Sequence, residues 1–314
     1  MSALAAVSAF TLVLTACGGE DAGSSGSGDS GGDQLSGEVK VDGSSTVAPL
    51  SEAAAALYAE EQPDVNVTVG TSGTGGGFEK FCNGETDISD ASREIKDEEI
   101  AACEANSVAY AELIVANDAL TVVVNPAVDF VDCLTVEQLN AIWGPDSTIA
   151  NWNEVDPSFP DLPLDLYGAG TDSGTFDYFT KEINGEEGAS RTDYTPSEDD
   201  NTTVQGVVGS EGGMGYFGFT YFEENSETLK ALEIDGGEGC VAPSVETAQD
   251  GSYTPLARPL FIYLSDKAAE RPEVTDFVNF YIENIDDIVT EARYVPLTDE
   301  QKTTLAEEFE ALTG

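Results

Sequence analysis

Three short turns of this sequence gather hydrogen-bond donors where a strand-like run gives way to a helical pattern. The first is Asp42-Gly43-Ser44-Ser45-Thr46. The second runs from Gly70 to Gly77 and holds Thr71, Ser72 and Gly73, and the third runs from Gly168 to Ser173-Gly174-Thr175. A helix start leaves its first N–H groups without intrahelical partners and carries the positive end of the helix dipole. Each turn therefore offers backbone donors, hydroxyls and a favourable potential to an anion. Three such turns aimed at one point could surround a tetrahedral oxyanion without a lysine cluster. The local reading of each turn competes with this: Ser45 or Thr46 would only cap the following helix, and the glycine-rich second turn would be a surface loop. No Gly-Lys-Ser/Thr follows the second turn, so it is not a Walker loop.

A fourth cluster, Asp90-Ala91-Ser92-Arg93, adds a carboxylate and a cation. A carboxylate facing an anion costs several kcal/mol, on the order of the penalty for a buried unpaired charge, unless the ligand itself carries a proton to donate. Hydrogen phosphate does so near neutral pH and sulfate does not, so Asp90 could reject sulfate by repulsion. Arg93 could reach both carboxylate and ligand through its planar fork, and Arg191 is the second candidate cation. The plainer alternatives are a turn residue at a strand end for Asp90 and structural ion pairs for the arginines.

The elements that must position these groups alternate between strand and helix. Glu38 to Val41 and Val65 to Val69 read as strands. Leu50, Ala53, Ala54 and Leu57 mark a helix from about Val47 to Glu61. A helix is expected from near Phe78 and another over Asp97 to Asn106. Strands are expected at Ala109 to Val115, Ala119 to Asn125, Leu162 to Tyr167, Gly215 to Phe219 and Arg258 to Leu264. Thr135 with Gln138 and Thr298 with Gln301 form capping-box patterns, and Phe176, Phe179 and Ile183 share one face of a helix after the third turn. The alternation argues an α/β fold. The apolar runs at 119–125 and 259–264 are candidates for two crossover strands between lobes. Residues 38–120 with 259–314 would then form lobe one, and 121–258 lobe two.

The chain has 314 residues, enough for two packed lobes, and a formal charge of −48 from 60 acids against 12 lysines and arginines. Nucleic acid and anionic lipid surfaces are excluded as partners by that field, whose ordinary role is solubility. Histidine is absent, which removes the commonest general base and metal ligand. Residues 1–17 are apolar, too short for an ordinary membrane span, and end in Leu14-Thr15-Ala16-Cys17. This resembles a lipobox whose Cys17 would be lipidated, although a basic n-region is missing. Residues 18–37, rich in Gly, Ser and Asp, read as a flexible tether. Removing Cys17 leaves Cys82, Cys103, Cys133 and Cys240. Of the three connectivities, Cys82 with Cys103 and Cys133 with Cys240 is favoured, the first closing a local loop and the second tying distant parts of one lobe.

The segments DGSSTVAPL, GTSGTGGGFEKFCNGETDISDASREI, ALTVVVN, LYGAGTDSGTFDYF, SRTDY, SEDDN, GYFGF and RPLFIY occur in that order. Together they resemble the periplasmic phosphate-binding protein of the phosphate-specific ABC transporter, from about Val39 to the end. The resemblance implies a two-lobed periplasmic-binding-protein fold, type II-like, with phosphate in the cleft between lobes. It also implies a transmembrane permease as partner, a lipid-anchored extracytoplasmic location, a monomer, and no cofactor or enzymatic activity. It places Ser45, Thr46 and Ser72 among the donors, Asp90 as proton acceptor, and Ser173, Gly174 and Thr175 as the donor turn of the second lobe. Where members of that family carry an arginine four residues before the serine, this chain has Ala169. The alternatives are a receptor for another oxyanion such as sulfate, a phosphoester hydrolase using Ser45 or Ser173 as nucleophile, against which the absence of histidine, of cysteine clusters and of a close acid pair other than Asp199 and Asp200 weighs, and a purely structural surface lipoprotein.

Overall fold

A computed structural model describes residues 34–171 and 173–314. The expected lipoprotein signal at residues 1–17, with Cys17, and most of the expected tether lie outside the described residues. The expected tether reaches too far along the chain: Leu35 packs against the first core, and its N–H donates to the Gln62 side chain (3.0 Å).

The chain opens with β1 (Gly37–Gly43), α1 (Ala48–Glu61), β2 (Val65–Gly70), α2 (Gly73–Cys82), β3 (Ile88–Ala91) and α3 (Asp97–Ala105). It continues through β4 (Tyr110–Val124), β5 (Cys133–Thr135), α4 (Val136–Trp143), α5 (Trp152–Val155), β6 (Asp165–Ala169), α6 (Gly174–Asn184), β7 (Thr195–Ser197) and α7 (Asp200–Gly209). Next come β8 (Gly213–Gly218), α8 (Phe219–Glu224), β9 (Lys230–Ala231), β10 (Glu233–Asp235), β11 (Cys240–Val241) and α9 (Val245–Gln249). The end is β12 (Ala257–Ser265), α10 (Asp266–Ala269), α11 (Pro272–Glu283), α12 (Ile285–Glu291) and α13 (Asp299–Thr313).

One curled sheet runs β2-β1-β3-β12-β4-β8-β6-β7, with β9 added beside β4, and β11-β10-β5 form a small second sheet. Strands β1, β2 and β3 are mutually parallel, and β12 lies antiparallel to both β3 and β4. The runs expected as two strands at 109–115 and 119–125 are one strand, β4. It pairs with β12 over Tyr110–Ala119 and with β8 over Leu120–Val124. Asn117 and Asp118 look like a break in sequence because they are polar. They are tolerated because the Asn117 backbone bridges to Val295, its amide donates to Pro296 O and Gln301, and Asp118 pairs across the ladder with Arg258.

The period-two pattern of β12 divides its side chains between two faces. Leu260, Ile262 and Leu264 enter a core with Leu50, Tyr58, Phe277 and Ile288, while Phe261 and Tyr263 meet Phe78 and Phe81 of α2. A second large core gathers Leu120, Val122, Trp143, Trp152, Phe179 and Tyr216, where Phe179 and Tyr216 stack with ring centroids 3.8 Å apart. Both favoured disulfides are present, Cys82–Cys103 joining α2 to α3 and Cys133–Cys240 joining β5 to β11. Among the described residues no helix is long and apolar enough to cross a membrane.

Candidate functional site

In open α/β sheets ligands sit beyond the carboxyl ends of the strands. Here β1, β2 and β3 end at Gly43, Gly70 and Ala91, and the turns that follow form one wall of a cleft of about 820 Å³. Ser44, Ser45, Thr46, Ser72, Gly73, Ser92, Arg93 and Gly174 all line it, so residues from all four sequence clusters meet there.

The first turn does not behave as a cap. Helix α1 starts after Val47 with no side-chain cap, and the Ser44 Oγ accepts the Thr46 N–H (3.2 Å) instead. Ser44 N–H is spent on Asp90 O (2.9 Å), and Tyr294 OH donates to Thr46 O (2.6 Å), which fixes the turn against β3 and the C-terminal region.

The second turn also differs from expectation. The helix starts at Gly73, five residues before Phe78, so the glycines are its first turns and not a loop. The reason is close packing: a Cβ on Gly77 would stand 2.6 Å from Gly43 Cα, so α2 lies directly on the end of β1. Ser72 precedes the helix, yet its hydroxyl and N–H both donate to Asp42, as does Lys80 Nζ. Burial pushes the Asp42 carboxyl up, but the bonds from Lys80 and Ser72 outweigh it and hold the group below its usual range. The N-terminal ends of α1 and α2 are thus both free of side-chain caps on this wall. Thr71 is exposed and lies off the wall.

Asp90 is fully buried one layer behind the wall. Ser51 donates to its Oδ1 (2.9 Å), and its Oδ2 has no partner among the described residues. Burial, opposed by the Ser51 bond, pushes its pKa up to about 7. Ser92 shares a 3.1 Å hydrogen bond with Thr74 of α2. Arg93 reaches the cleft edge, but both of its Nη groups hold Glu99 (2.7 and 2.8 Å). Arg191 lies elsewhere: it is buried, bonded to Asp193 and to the carbonyls of Ile142 and Ile149, and it lines a separate hollow.

On the opposite wall Ser173 does cap its helix, its Oγ accepting Thr175 N–H (3.2 Å). Gly174 abuts the first turn so closely that a Cβ would stand 2.7 Å from Thr46 Oγ1. Thr175 turns to a smaller cavity of about 110 Å³ shared with Asp118, Asp200 and Thr220. Asp199 caps α7 through Asn201 N–H, and burial followed by the neighbouring charges of Asp199 and Glu198 pushes Asp200 up to about 6.

The residue that sequence reading passed over is Arg258, at the start of β12. It lines the cleft with its guanidinium carbon 3.4 Å from the Tyr178 ring centroid and its Nε 3.3 Å from Asp118. The available signal was its place at the head of RPLFIY, an apolar strand that has no local need for a cation. Arg93, Lys96, Lys181 and Arg258 make four of the chain's 12 cations, and they line this cleft beside four acids, Glu94, Asp177, Glu182 and Glu187. The site is therefore charge-balanced within a strongly acidic molecule.

Fold and cleft together define a two-lobed binding protein. The chain belongs to the PBP superfamily, whose domain profile matches residues 28–284. It is similar to Protein SphX of Synechococcus elongatus, with 50% identity over 86% of this chain and 81% of the relative. It is also similar to the phosphate-binding protein PstS of Staphylococcus saprophyticus, with 38% identity over 97% and 92%. A solved structure described as a possible phosphate binding protein from Planctomyces limnophilus is 47% identical and superposes with a TM-score of 0.86, covering 89% of this chain and all of that one (100%). An ABC-type phosphate transport receptor from Vibrio cholerae, 22% identical with a TM-score of 0.63 over 83% of this chain and 100% of its own, shares the fold.

Proposed function

We propose that this protein is an extracytoplasmic receptor that captures inorganic phosphate and delivers it to the transmembrane permease of an ABC importer. It acts as a monomer held to the outer face of the cell membrane by lipid on Cys17, and it has no catalytic role. Lobe one (residues 38–120 and 259–314) and lobe two (121–258) close over the ligand. One observation carries the reading: two helix N-termini without side-chain caps, those of α1 and α2, open onto one charge-balanced cleft between strand ends. A tetrahedral anion supplies acceptors to the start of α2 and to the hydroxyls of the first turn, the N–H groups that open α1 being bonded to Ser44 O and Val47 O, and charge-assisted bonds of this kind are about twice as strong as neutral ones. The similarity to PstS and SphX supports phosphate as that anion.

Ser45, Thr46, Gly73 and Ser92 contribute donors from the first wall, where Ser72 has both of its donors on Asp42, and Ser173 and Gly174 form the closing side, from which Thr175 is turned toward the smaller cavity. Asp90 supplies discrimination. Ionised above about pH 7, its Oδ2, which has no partner among the described residues, is an acceptor for a ligand that still keeps a proton. Calorimetric titration with phosphate, with sulfate as competitor, tests the assignment. Tight phosphate binding with much weaker sulfate binding is expected, and Asp90→Asn should narrow the gap. No heat with phosphate would overturn the receptor assignment, and equal affinities would overturn the role of Asp90.

A further inference from the structure

The site has a vacancy in its chemistry that the two sequence candidates do not fill. Position 169 is alanine, Arg93 is held fork to fork by Glu99, and Arg191 is locked in a separate part of the fold. We propose that Arg258 supplies the cationic contact to the bound anion, presented from a crossover strand and not from the α6 turn. The inference rests on the phosphate reading above.

The geometry of Arg258 suits that task in three ways. Among the described residues its two Nη groups are bonded only to neutral oxygens, Nη1 to Ser92 O (3.3 Å) and Nη2 to Thr46 Oγ1 (3.1 Å). Both acceptors belong to cleft-lining residues, so an anion seated against them lies within reach of the same N–H groups. Exchanging a long bond to a neutral oxygen for one to an anionic oxygen is a net gain, because charged pairs are the stronger ones. Arg93 would have to give up a carboxylate for the same contact.

The guanidinium is also pre-aligned. Its Nε points at Asp118, its partner in the β4–β12 register, and its plane lies against Tyr178 of α6. Asp118 sits behind the fork with only 11% of its side chain exposed, so the pair brings a cation to the cleft without net charge. A fork with a fixed plane loses less entropy per bond than a lysine such as Lys96, whose side chain is 56% exposed beside Glu98. Finally, Arg258 touches both sides of the cleft, Thr46 and Ser92 on one and Tyr178 on the other, so an anion bound to it is held where the two halves of the sheet meet.

The test is phosphate titration by calorimetry on the wild type, Arg258→Gln, Arg258→Lys and Arg93→Gln, repeated at several salt concentrations. Arg258→Gln should weaken binding by about 10- to 100-fold, in line with loss of hydrogen bonds to a charged group. It should also flatten the dependence of log Kd on log salt, which a merely structural residue would not do. Arg258→Lys should keep the salt slope and lose about tenfold, since it keeps the charge but not the fork. Arg93→Gln should change affinity by less than about threefold. Arg258→Gln within threefold of the wild type, or a lysine variant indistinguishable from it, overturns the proposal. A wild type that gives no heat with phosphate instead overturns the receptor reading, so the two failures are distinct. Should the glutamine variant not fold, the lysine variant alone decides.

Discussion

The helix starts on the two sides of the cleft are built in opposite ways. On one side α1 and α2 begin without side-chain caps: Ser44 is turned onto Thr46 N–H, and Ser72 onto Asp42. On the other side α6 begins with Ser173 in the usual capping role. An absent cap costs about 0.5–2 kcal/mol. The first side therefore forgoes that side-chain contribution: backbone carbonyls of Ser44 and Val47 take up the first N–H groups of α1, and Asp90 is buried with an oxygen that has no partner among the described residues. The second side is a self-satisfied helix end that meets the first through Gly174. The contrast teaches that side-chain capping is given up on the β1-β2-β3 side of the cleft and kept on the α6 side.

This contrast can be broken or sharpened by measurement. The largest effect is expected on the α6 side, whose Cys133–Cys240 bridge closes a separation of 107 residues against 21 for Cys82–Cys103. By chain entropy, removing the longer bridge should cost about 5 kcal/mol and the shorter about 3. Denaturant unfolding of the two double Cys→Ala variants checks the order, and the reverse order would place the greater cross-link dependence on the cradle side.

Asp90 comes next. Its pKa is raised from 3.8 to about 7, so the folded protein holds a proton that the unfolded chain has released. The stability tied to that proton is complete below about pH 4 and is lost as pH rises through about 7, on the order of 4 kcal/mol in full. In phosphate-free buffer the stability of Asp90→Asn relative to the wild type should therefore climb from pH 4 to pH 8. A flat difference would show that Asp90 is not held as a neutral acid.

Gly77→Ala should destabilise by about 1–3 kcal/mol and weaken phosphate binding, because the new Cβ meets the backbone of Gly43 and lifts α2 from β1. An unchanged melting temperature would mean that the helix can move away freely. The smallest effect separates the two helix ends directly. Ser173→Ala should cost about 1 kcal/mol of stability through its lost cap. Ser45→Ala, at a helix start that has no side-chain cap, should leave the melting temperature nearly unchanged and lower phosphate affinity instead.

Much of the fold was legible because it rests on local signals. The Thr135 and Thr298 capping boxes, the helix bearing Phe176, Phe179 and Ile183, and the period-two strand at 258–264 all appear where the sequence places them. The misreadings have a common cause in long-range satisfaction of groups that look unsatisfied locally. Gly73–Gly77 reads as a loop until β1 is packed against it, and Asn117–Asp118 reads as a break until Val295 and Arg258 complete the ladder. The small sheet of β5, β10 and β11 carries strands of only two or three residues, too short for periodicity to register.

The sequence by itself determined the α/β alternation, the hydroxyl-rich helix starts and the presence of one carboxylate among them. These depend on neighbours a few positions apart, where propensity and periodicity act. Only the tertiary structure decided which donors remain open, that Asp90 lies behind the wall and that Thr175 turns toward a second cavity. It also decided which of the two cleft arginines has its Nη groups held by a carboxylate, Arg93, and which does not, Arg258. Arg258 is 212 residues from Thr46 and 140 from Asp118. Its partners were set by the antiparallel register of β12 on β4, a relation between distant strands that no local window of the chain contains.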